Sequence, residues 1–283
     1  MNALPLLSGY WTHDLDPFLW RFPGSMADWG PGGLRWYGIS YLAGFVGAYF
    51  LLKAYYKRER SPYDGEQVMN LMTFLILGVL LGGRMGYALL YRGGEFLEDP
   101  LLLLRVWEGG MASHGGFIGV CLAILLYARH SGQSPLPIGD LIVSVVPPGL
   151  FFGRVANFIN GELWGRPTEV SWGVMFPKAP DFLQEVARHP SQLYAATLEG
   201  LCTFVFVQWR FWKSDVAQRV PGRLCGEFLV AYALARILNE FFREPDASLI
   251  LGMTRGQFYS LFLALGGISL IMIAESRARK ASE

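Results

Sequence analysis

The chain has 283 residues, of which 52% are hydrophobic, 15% are aromatic and only 17% are charged. Soluble domains carry about 25% charged residues, so this composition argues against a soluble protein and favours a membrane protein with aromatic belts at its interfaces. The formal net charge of +1 gives no support for a nucleic-acid partner.

Seven apolar segments are long enough to cross a bilayer, which requires about 20 mostly apolar residues per helix. They cover roughly residues 34–54, 68–91, 114–130, 136–159, 192–212, 224–243 and 256–275. We therefore predict an all-α, polytopic membrane protein with seven transmembrane helices and short interfacial helices, forming one integral-membrane domain over residues 1–283. The apolar run after Pro100 is too short to cross and predicts a surface helix.

Two further segments are expected to lie at the membrane surface. Residues 1–33 are rich in Trp, Pro and Gly, and we expect them to be anchored by interfacial tryptophans. These are Trp11, Trp20, Trp29 and Trp36. The connection over residues 160–190 is the longest one, and we expect it to carry structure of its own.

Basic residues predict the orientation of the chain, because cytoplasmic loops are enriched in Lys and Arg. They follow the first, third, fifth and seventh segments: Lys53, Lys57, Arg58, Arg60, Arg129, Lys213, Arg219, Arg223, Arg277, Arg279 and Lys280. The N-terminus is therefore predicted outside and the C-terminus inside, with residues 1–33 and 160–190 on the outer side.

Four polar motifs fall at the predicted outer ends of separate segments. They are SHGG at 113–116, GRVANFINGELWGR at 153–166, HPSQLY at 189–194 and RILNEFFREPD at 236–246. Motifs from four segments that meet at one membrane face indicate a functional site there.

The sixth segment carries a polar stripe at helical spacing. Its members are Tyr232, Arg236, Glu240 and Arg243. Charge at membrane depth costs several kcal/mol, so these side chains should face the protein interior or a wet cavity. Arg236 and Glu240 can pair along the helix. The alternatives are an ion pair that only fixes helix packing and, for Arg243, snorkelling to the interface.

The fourth segment ends in Arg154, Asn157, Asn160 and Glu162. Arg is suited to a lipid phosphate because its planar guanidinium donates two parallel hydrogen bonds. Asn157 could hold a phosphate oxygen or a glycerol hydroxyl. Glu162 could bind substrate, hold an arginine or pair with Arg166, and Glu199 in the fifth segment is expected to be the partner of a buried arginine.

Two more candidates lie in the second and third segments. His114 opens a helix in a glycine-rich turn and could accept a proton near neutral pH. Arg84 could bind phosphate or could simply be solvated by carbonyls and tyrosines. The preceding Gly82 and Gly83 allow another backbone to approach closely. His13 is expected to be a solvated loop residue.

The sequence lacks the motifs of several common catalytic mechanisms. There is no H-E-x-x-H, no G-x-S-x-G and no cluster typical of a metal site, so we expect neither metal nor cofactor. The remaining arginines, asparagines, tyrosines and histidine suit an anionic lipid head group and one proton transfer. A lipid transporter would instead need polar residues through the bilayer or inverted repeats, and a purely structural subunit would leave the stripe in the sixth segment unexplained.

With these motifs assembled, the chain resembles the bacterial prolipoprotein diacylglyceryl transferases over nearly its whole length. The matching stretches are LRWYG (34–38), LGGRMGY (81–87), RVWEGGMASHGG (105–116), GRVANFINGELWGR (153–166), RHPSQLY (188–194) and NEFFREPD (239–246). The resemblance implies transfer of the diacylglyceryl group of phosphatidylglycerol to the lipobox cysteine of preprolipoproteins. The expected partners are phosphatidylglycerol, the signal peptides of preprolipoproteins, which would enter from the membrane, and the lipid bilayer. It also implies a multi-pass protein of the cytoplasmic membrane with its active site toward the periplasm.

The resemblance and the patterns above together give the expected site. The catalytic residues are expected to be His114, Arg154, Tyr232, Arg236 and Glu240. The substrate-binding residues are expected to be Tyr37, Arg84, Asn157, Asn160, Glu162, Gly165 and Arg243. In this scheme His114 is the candidate base for the thiol, Arg154 and Arg236 stabilise the departing phosphate, and Glu162 and Glu240 hold the arginines in place.

Overall fold

A computed structural model describes residues 9–24, 32–105, 109–177, 179 and 186–282 of the chain. The described residues divide into two units. The first unit contains Arg35–Gly44 and the chain from Val143 onward, and the second contains Phe45–Ile142. Trp29, one of the expected surface anchors, lies outside the described residues, whereas Trp11 and Trp20 are exposed.

Helices account for most of the described chain. They are α1 (Trp36–Lys57), α2 (Gly65–Tyr91), α3 (Gly93–Glu98), α4 (Ser113–Ser131), α5 (Pro135–Val145), α6 (Pro147–Asn160), α7 (Ser191–Ala195), α8 (Thr203–Lys213), α9 (Val216–Arg219), α10 (Arg223–Glu240) and α11 (Arg255–Ser282). A 3₁₀ helix spans Pro100–Leu104, where a surface helix was expected, and a π-helical turn spans Ala196–Cys202 between α7 and α8.

Each of the seven predicted segments coincides with a helix or with consecutive helices. Among the described residues, α2 and α11 are long and apolar enough to cross a membrane, and the bent pair α5 and α6 would make a third crossing. The structure thus supports a helical membrane protein with two or three candidate crossings, and the number seven stays a prediction.

The fourth predicted segment is not one straight helix. Its two halves, α5 and α6, meet at Val146 with a bend of 43°. Pro147 and Pro148 follow this break, and proline lacks the amide hydrogen and clashes with the preceding turn of a helix. The bend gives α6 its own direction, and α6 ends at Asn160, where Gly161 adopts the left-handed conformation with φ of 68°.

Short strands modify the all-α prediction. Strands β1 (Trp11–Thr12) and β4 (Val174–Met175) pair in parallel, and β2 (Phe18–Arg21) pairs with β3 (Gly33–Arg35). The expectation that the 160–190 connection carries structure of its own is confirmed by β4. The membrane surface position of both segments stays a prediction.

Glycine contacts bring helices together in each unit. In the second unit, Gly82 of α2 faces Gly115 and Gly119 of α4, and a Cβ atom on Gly82 would lie 2.8 Å from Cα of Gly119. The expected close approach of another backbone at Gly82 is therefore confirmed. In the first unit, a Cβ atom on Gly200 would lie 2.7 Å from Cα of Phe151, so the π-helical turn packs directly on α6.

Candidate active site

A buried carboxylate joins two arginines from different helices of the first unit. Arg154 of α6 donates from Nε and Nη2 to Oε2 of Glu199, at 3.0 and 2.8 Å. Arg236 of α10 donates from Nη1 to Oε1 of the same carboxylate, at 3.2 Å. The Glu199 side chain is fully buried, and a buried carboxylate needs such partners to stay ionised. The expectation that Glu199 partners a buried arginine is confirmed.

A second carboxylate extends this chain of ion pairs. Oε1 of Glu240 lies 2.6 Å from Nη2 of Arg236 and 3.2 Å from Nη1 of Arg243, so the expected pairing of Arg236 with Glu240 is confirmed. The helix ends at Glu240, so the predicted extension of this segment to residue 243 is wrong. A turn after α10 brings the Arg243 side chain back to Glu240, and its Nη2 also lies 2.7 Å from Oδ2 of Asp246.

The cluster holds more guanidiniums than buried carboxylates. It contains the guanidiniums of Arg154, Arg236 and Arg243, whose side chains are 20%, 14% and 11% exposed, but only the two buried carboxylates of Glu199 and Glu240. The remaining acidic partner, Asp246, has a side chain that is 66% exposed, so water screens its charge. An uncompensated buried charge is unfavourable, and a bound monoanion would neutralise it.

Glu162 organises the asparagines at the end of α6. Its Oε1 accepts from Nδ2 of Asn157 at 2.7 Å and from Nδ2 of Asn160 at 3.4 Å. Oδ1 of Asn157 lies 3.5 Å from Nη1 of Arg154. Glu162 was expected to bind substrate, to hold an arginine or to pair with Arg166, and substrate binding by Glu162 stays a prediction. Its carboxylate instead holds two amides, and it reaches Arg154 through Asn157.

The loop after α6 is held in an unusual backbone conformation. Leu163 has φ of 58°, a value that is uncommon for a residue other than glycine. The start of α7 fixes it, because Oγ of Ser191 donates to the Leu163 carbonyl at 2.9 Å and Nε2 of Gln192 donates to the Glu162 carbonyl at 2.5 Å. The HPSQLY and GELWG motifs therefore form one joined structure.

Gly165 allows three chain segments to meet. A Cβ atom there would collide with the carbonyl of His189 and lie 2.8 Å from the carbonyl oxygen of Phe242. Its amide donates to the His189 carbonyl at 3.0 Å, and it forms an antiparallel bridge with Arg243. The absence of a side chain thus serves close packing of backbone on backbone. Substrate binding by Gly165 stays a prediction.

His189 stands at the same junction, just before α7. Its Nδ1 lies 3.1 Å from the Tyr194 hydroxyl, and its ring packs edge-on against Phe242. Burial lowers the pKa of the His189 imidazole, which favours its neutral form around pH 7. These contacts make His189 a packing residue of the turn.

The three arginines border one small cavity. Its lining consists of Arg154, Asn157, Leu163, Ser191, Gln192, Ala195, Arg236, Asn239 and Arg243. The cavity therefore joins residues from α6, α7, α10 and the two loops that follow α6 and α10. It is lined mainly by polar side chains.

The expected tyrosines occupy different places in the first unit. Tyr232 lies beside the ion-pair cluster, where it interacts electrostatically with Arg154, Arg236 and Glu199, and its ring stacks on Phe228. Tyr37, at the start of α1, packs edge-on against Tyr41 with ring centroids 5.3 Å apart. Tyr232 is thus positioned with the arginines, and substrate binding by Tyr37 stays a prediction.

His114 and Arg84 belong to the second unit. His114 is exposed at the start of α4, so its side chain is accessible. Arg84 is buried, and its guanidinium donates to the main-chain carbonyls of Leu102, Leu103, Arg105, Gly109 and Gly110. This arrangement favours the second interpretation of Arg84, in which carbonyls solvate it and it holds the chain before α4 in place.

Some residues of the site carried little signal in the sequence. Gln192 and Asn239 lie inside motifs that were singled out, yet amides are common and neither was assigned a role. Gly256, at the start of α11, packs on the Glu240 carboxylate, since a Cβ atom there would lie 2.5 Å from Oε1 of Glu240. Only the folded chain reveals that contact.

The expectation that His13 is a solvated loop residue is wrong. His13 is buried, and its Nε2 lies 2.7 Å from the Phe158 carbonyl oxygen. The β1–β4 pairing positions it there, and its ring packs against Phe158 and Phe176. His13 therefore anchors the N-terminal strand to the end of α6.

The side chains in the part of the chain that the structure describes also bear on whether the protein could bind a metal ion. Within residues 9–24, 32–105, 109–177, 179 and 186–282, there is no group of three or more His, Cys, Asp or Glu side chains that could hold a metal ion.

Comparison with known proteins identifies the family of this chain. Residues 25–273 match the family model described as prolipoprotein diacylglyceryl transferase. The chain belongs to this family. The match includes every residue of the expected site, from Tyr37 to Arg243, and it makes the protein a transferase and a polytopic membrane protein, as the sequence predicted.

Individual relatives in the family are similar over nearly their whole length. A phosphatidylglycerol–prolipoprotein diacylglyceryl transferase of Idiomarina loihiensis is 44% identical over 95% of this chain and 97% of its own. Proteins of the same name from Azospirillum brasilense and Pseudoalteromonas atlantica are 46% and 41% identical, over 89% and 98% of this chain and 94% and 95% of their own.

Proposed function

We propose that this protein transfers the diacylglyceryl group of phosphatidylglycerol to the lipobox cysteine of preprolipoproteins. The product is a thioether, and glycerol phosphate is released. We further propose that the protein lies in the bacterial cytoplasmic membrane, with its N-terminus outside and its active site toward the periplasm. Both substrates would reach the site from the bilayer, the lipid by its acyl chains and the preprolipoprotein by its apolar signal peptide.

The convergence of Arg154, Arg236 and Arg243 on one cavity is the observation that carries this proposal. The three arginines outnumber the buried carboxylates of Glu199 and Glu240 by one, which matches the single negative charge of a phosphodiester. Arginine also donates in a planar fork that fits two phosphate oxygens. The relatives named for phosphatidylglycerol support the same head group.

In the proposed reaction, the cysteine sulfur attacks the carbon of the diacylglyceryl group that bears the phosphate ester. The new carbon–sulfur bond forms as the carbon–oxygen bond breaks, and the bonding electrons leave on the phosphate oxygen of glycerol phosphate. Negative charge therefore grows on the phosphate, where Arg154 and Arg236 are already fixed by Glu199. Donors fixed in advance stabilise such a charge better than water, which must reorient.

The thiol proton needs an acceptor, because a free cysteine has a pKa of about 8.5 and is mostly protonated at neutral pH. His114 is our proposed base. Its imidazole is exposed at the start of α4, and an imidazole accepts protons efficiently in this pH range. Tyr37, Asn157 and Asn160 are proposed to orient the head group.

The test combines the purified protein with phosphatidylglycerol and a lipobox peptide, with mass spectrometry of the peptide as the readout. We expect a diacylglyceryl thioether from the unaltered protein. Arg154→Ala should lower the rate by about 10²- to 10³-fold, as loss of one fixed anion donor does elsewhere. Arg210→Ala is the matched control, because Arg210 pairs with Glu227 outside the cavity.

The two results separate the function from the role of Arg154. Absence of the thioether with the unaltered protein would refute the proposed function. Equal rates for Arg154→Ala and Arg210→Ala would retain the function but remove Arg154 from the site.

A further inference from the structure

Two buried amide side chains that line the arginine-lined cavity each carry an oxygen that has no hydrogen-bond donor. Gln192 near the start of α7 and Asn239 near the end of α10 both line this cavity. They are 2% and 1% exposed. Oε1 of Gln192 and Oδ1 of Asn239 lack a partner in the structure. Buried acceptors are almost always satisfied in folded proteins, so each of these two oxygens needs a donor, which a bound ligand can supply.

The orientation of the Gln192 amide follows from its other contact. Its Nε2 donates to the Glu162 carbonyl at 2.5 Å. Because a carbonyl oxygen can only accept, the amide nitrogen must face it, and Oε1 is left to point elsewhere. A ligand that meets Oε1 of Gln192 must therefore donate a hydrogen bond.

The other side of the cavity needs the opposite kind of partner. Arg154, Arg236 and Arg243 can only donate, and Nε of Arg243 is buried without an acceptor. A single ligand that satisfies both sides has an anionic part that accepts hydrogen bonds and an uncharged part that donates them. A phosphodiester of glycerol has both, because its phosphate only accepts while its free hydroxyls donate.

We propose that Gln192 and Asn239 determine head-group specificity by accepting hydrogen bonds from the free glycerol hydroxyls of phosphatidylglycerol. This inference rests on the proposed function and names the residues that recognise the part of the substrate distal to the phosphate. Choline has no hydroxyl or ammonium hydrogen to donate. Ethanolamine can donate, but its positive charge would meet a cavity bordered by three arginines.

The test compares phosphatidylglycerol with phosphatidylpropanol, which keeps the charged phosphodiester and the three-carbon head but lacks both hydroxyls. The unaltered protein should prefer phosphatidylglycerol in kcat/KM by on the order of 10- to 100-fold, because a site built to bond a hydroxyl leaves its own polar groups unpaired with the analogue. Gln192→Met and Asn239→Leu should each reduce this preference by about tenfold or more.

The ratio of the two substrates separates recognition from a general structural defect. Gln192→Met also removes the hydrogen bond to the Glu162 carbonyl, and such a defect would lower both rates equally. Gln208→Met is the matched control, because Nε2 of Gln208 likewise donates to a carbonyl, that of Ser144, at 2.7 Å, and Gln208 does not line the cavity. This control should keep the full preference.

Equal use of both lipids by the unaltered protein would overturn the inference, even if one variant failed to fold. So would an unchanged ratio in Gln192→Met and Asn239→Leu. In either case, thioether formation from phosphatidylglycerol would leave the proposed function standing, whereas its absence would refute that function instead.

Discussion

At the residue scale, Glu199 determines how the two central arginines are presented. Its carboxylate uses one oxygen for Arg154 and the other for Arg236, so both guanidiniums are fixed in place before any lipid binds. The π-helical turn around Glu199 contributes to this arrangement, because a π-turn shifts the direction of side chains within a helix. An anion that enters the cavity then meets donors that need little rearrangement.

Replacement of Glu199 by glutamine should therefore destabilise the protein. Glu199→Gln keeps the shape but leaves two buried guanidiniums without their shared carboxylate, a change that costs about 3–5 kcal/mol and lowers Tm by on the order of 10 °C. Glu275→Gln is the control, since Glu275 pairs with Arg223 at a site where its side chain is 34% exposed. Thermal unfolding in detergent gives the Tm of Glu199→Gln and of Glu275→Gln. Equal Tm values for the two variants would contradict the role given to Glu199.

The residues of the cluster could be found from the sequence because charge is rare in apolar segments. Arg154, Arg236 and Glu240 stood out for that reason, and helical spacing correctly paired Arg236 with Glu240. The partners of Glu162 could not be found in the same way. They depend on the loop that follows α6, whose path is determined by contacts with Ser191 and Gln192 far along the chain.

At the element scale, glycines determine how closely helices pack in the second unit. Gly115 of α4 faces α2, and a Cβ atom on it would lie 2.8 Å from Cα of Gly86 and collide with the carbonyl of Gly82. Both obstacles are backbone atoms, which cannot rotate away as a side chain can. Small residues at such contacts let helices in membranes gain van der Waals packing.

Gly115→Ala should consequently force α2 and α4 apart. Overpacking of this kind costs about 1–3 kcal/mol, which corresponds to a decrease in Tm of about 3–10 °C. The neighbouring Gly116 provides a matched control, because a Cβ atom there meets nothing within 4 Å and alanine favours a helix more than glycine does. A Tm for Gly115→Ala that is no lower than that of Gly116→Ala would contradict this packing.

The existence of the helices was easier to predict than their interruptions. Apolar length indicated where each helix lies, and the prolines at 147 and 148 explain the bend between α5 and α6. The π-helical turn over Ala196–Cys202 had no comparable signal. It arises where Gly200 packs against Phe151 and Glu199 binds arginines of two other helices.

At the scale of the whole molecule, the distribution of basic loops predicts which parts of the chain face the cytoplasm. We expect a cysteine introduced by Ser171→Cys, in the outer 160–190 connection, to react with a membrane-impermeant maleimide in intact cells. A cysteine introduced by Gln218→Cys, after the fifth segment, should react only after the membrane is permeabilised. Both positions are exposed. The background for both variants lacks Cys121, Cys202 and Cys225.

The opposite labelling pattern would contradict the predicted orientation. Labelling of both positions in intact cells would contradict the prediction that the fifth segment crosses the membrane. Composition could indicate a membrane protein, and loop charge could indicate its direction, but neither could reveal the cavity. That cavity exists because α6, α7, α10 and the loops that follow α6 and α10 converge on it.

The central claim is that Arg154 and Arg236 bind one phosphate together. A crystal structure of the protein grown in a lipid phase that contains phosphatidylglycerol tests it most directly. We predict phosphate density in the cavity, within hydrogen-bonding distance of both guanidiniums. A head-group phosphate bound away from Arg154 and Arg236, with their ion pairs to Glu199 unchanged and the cavity occupied by water, would contradict the account.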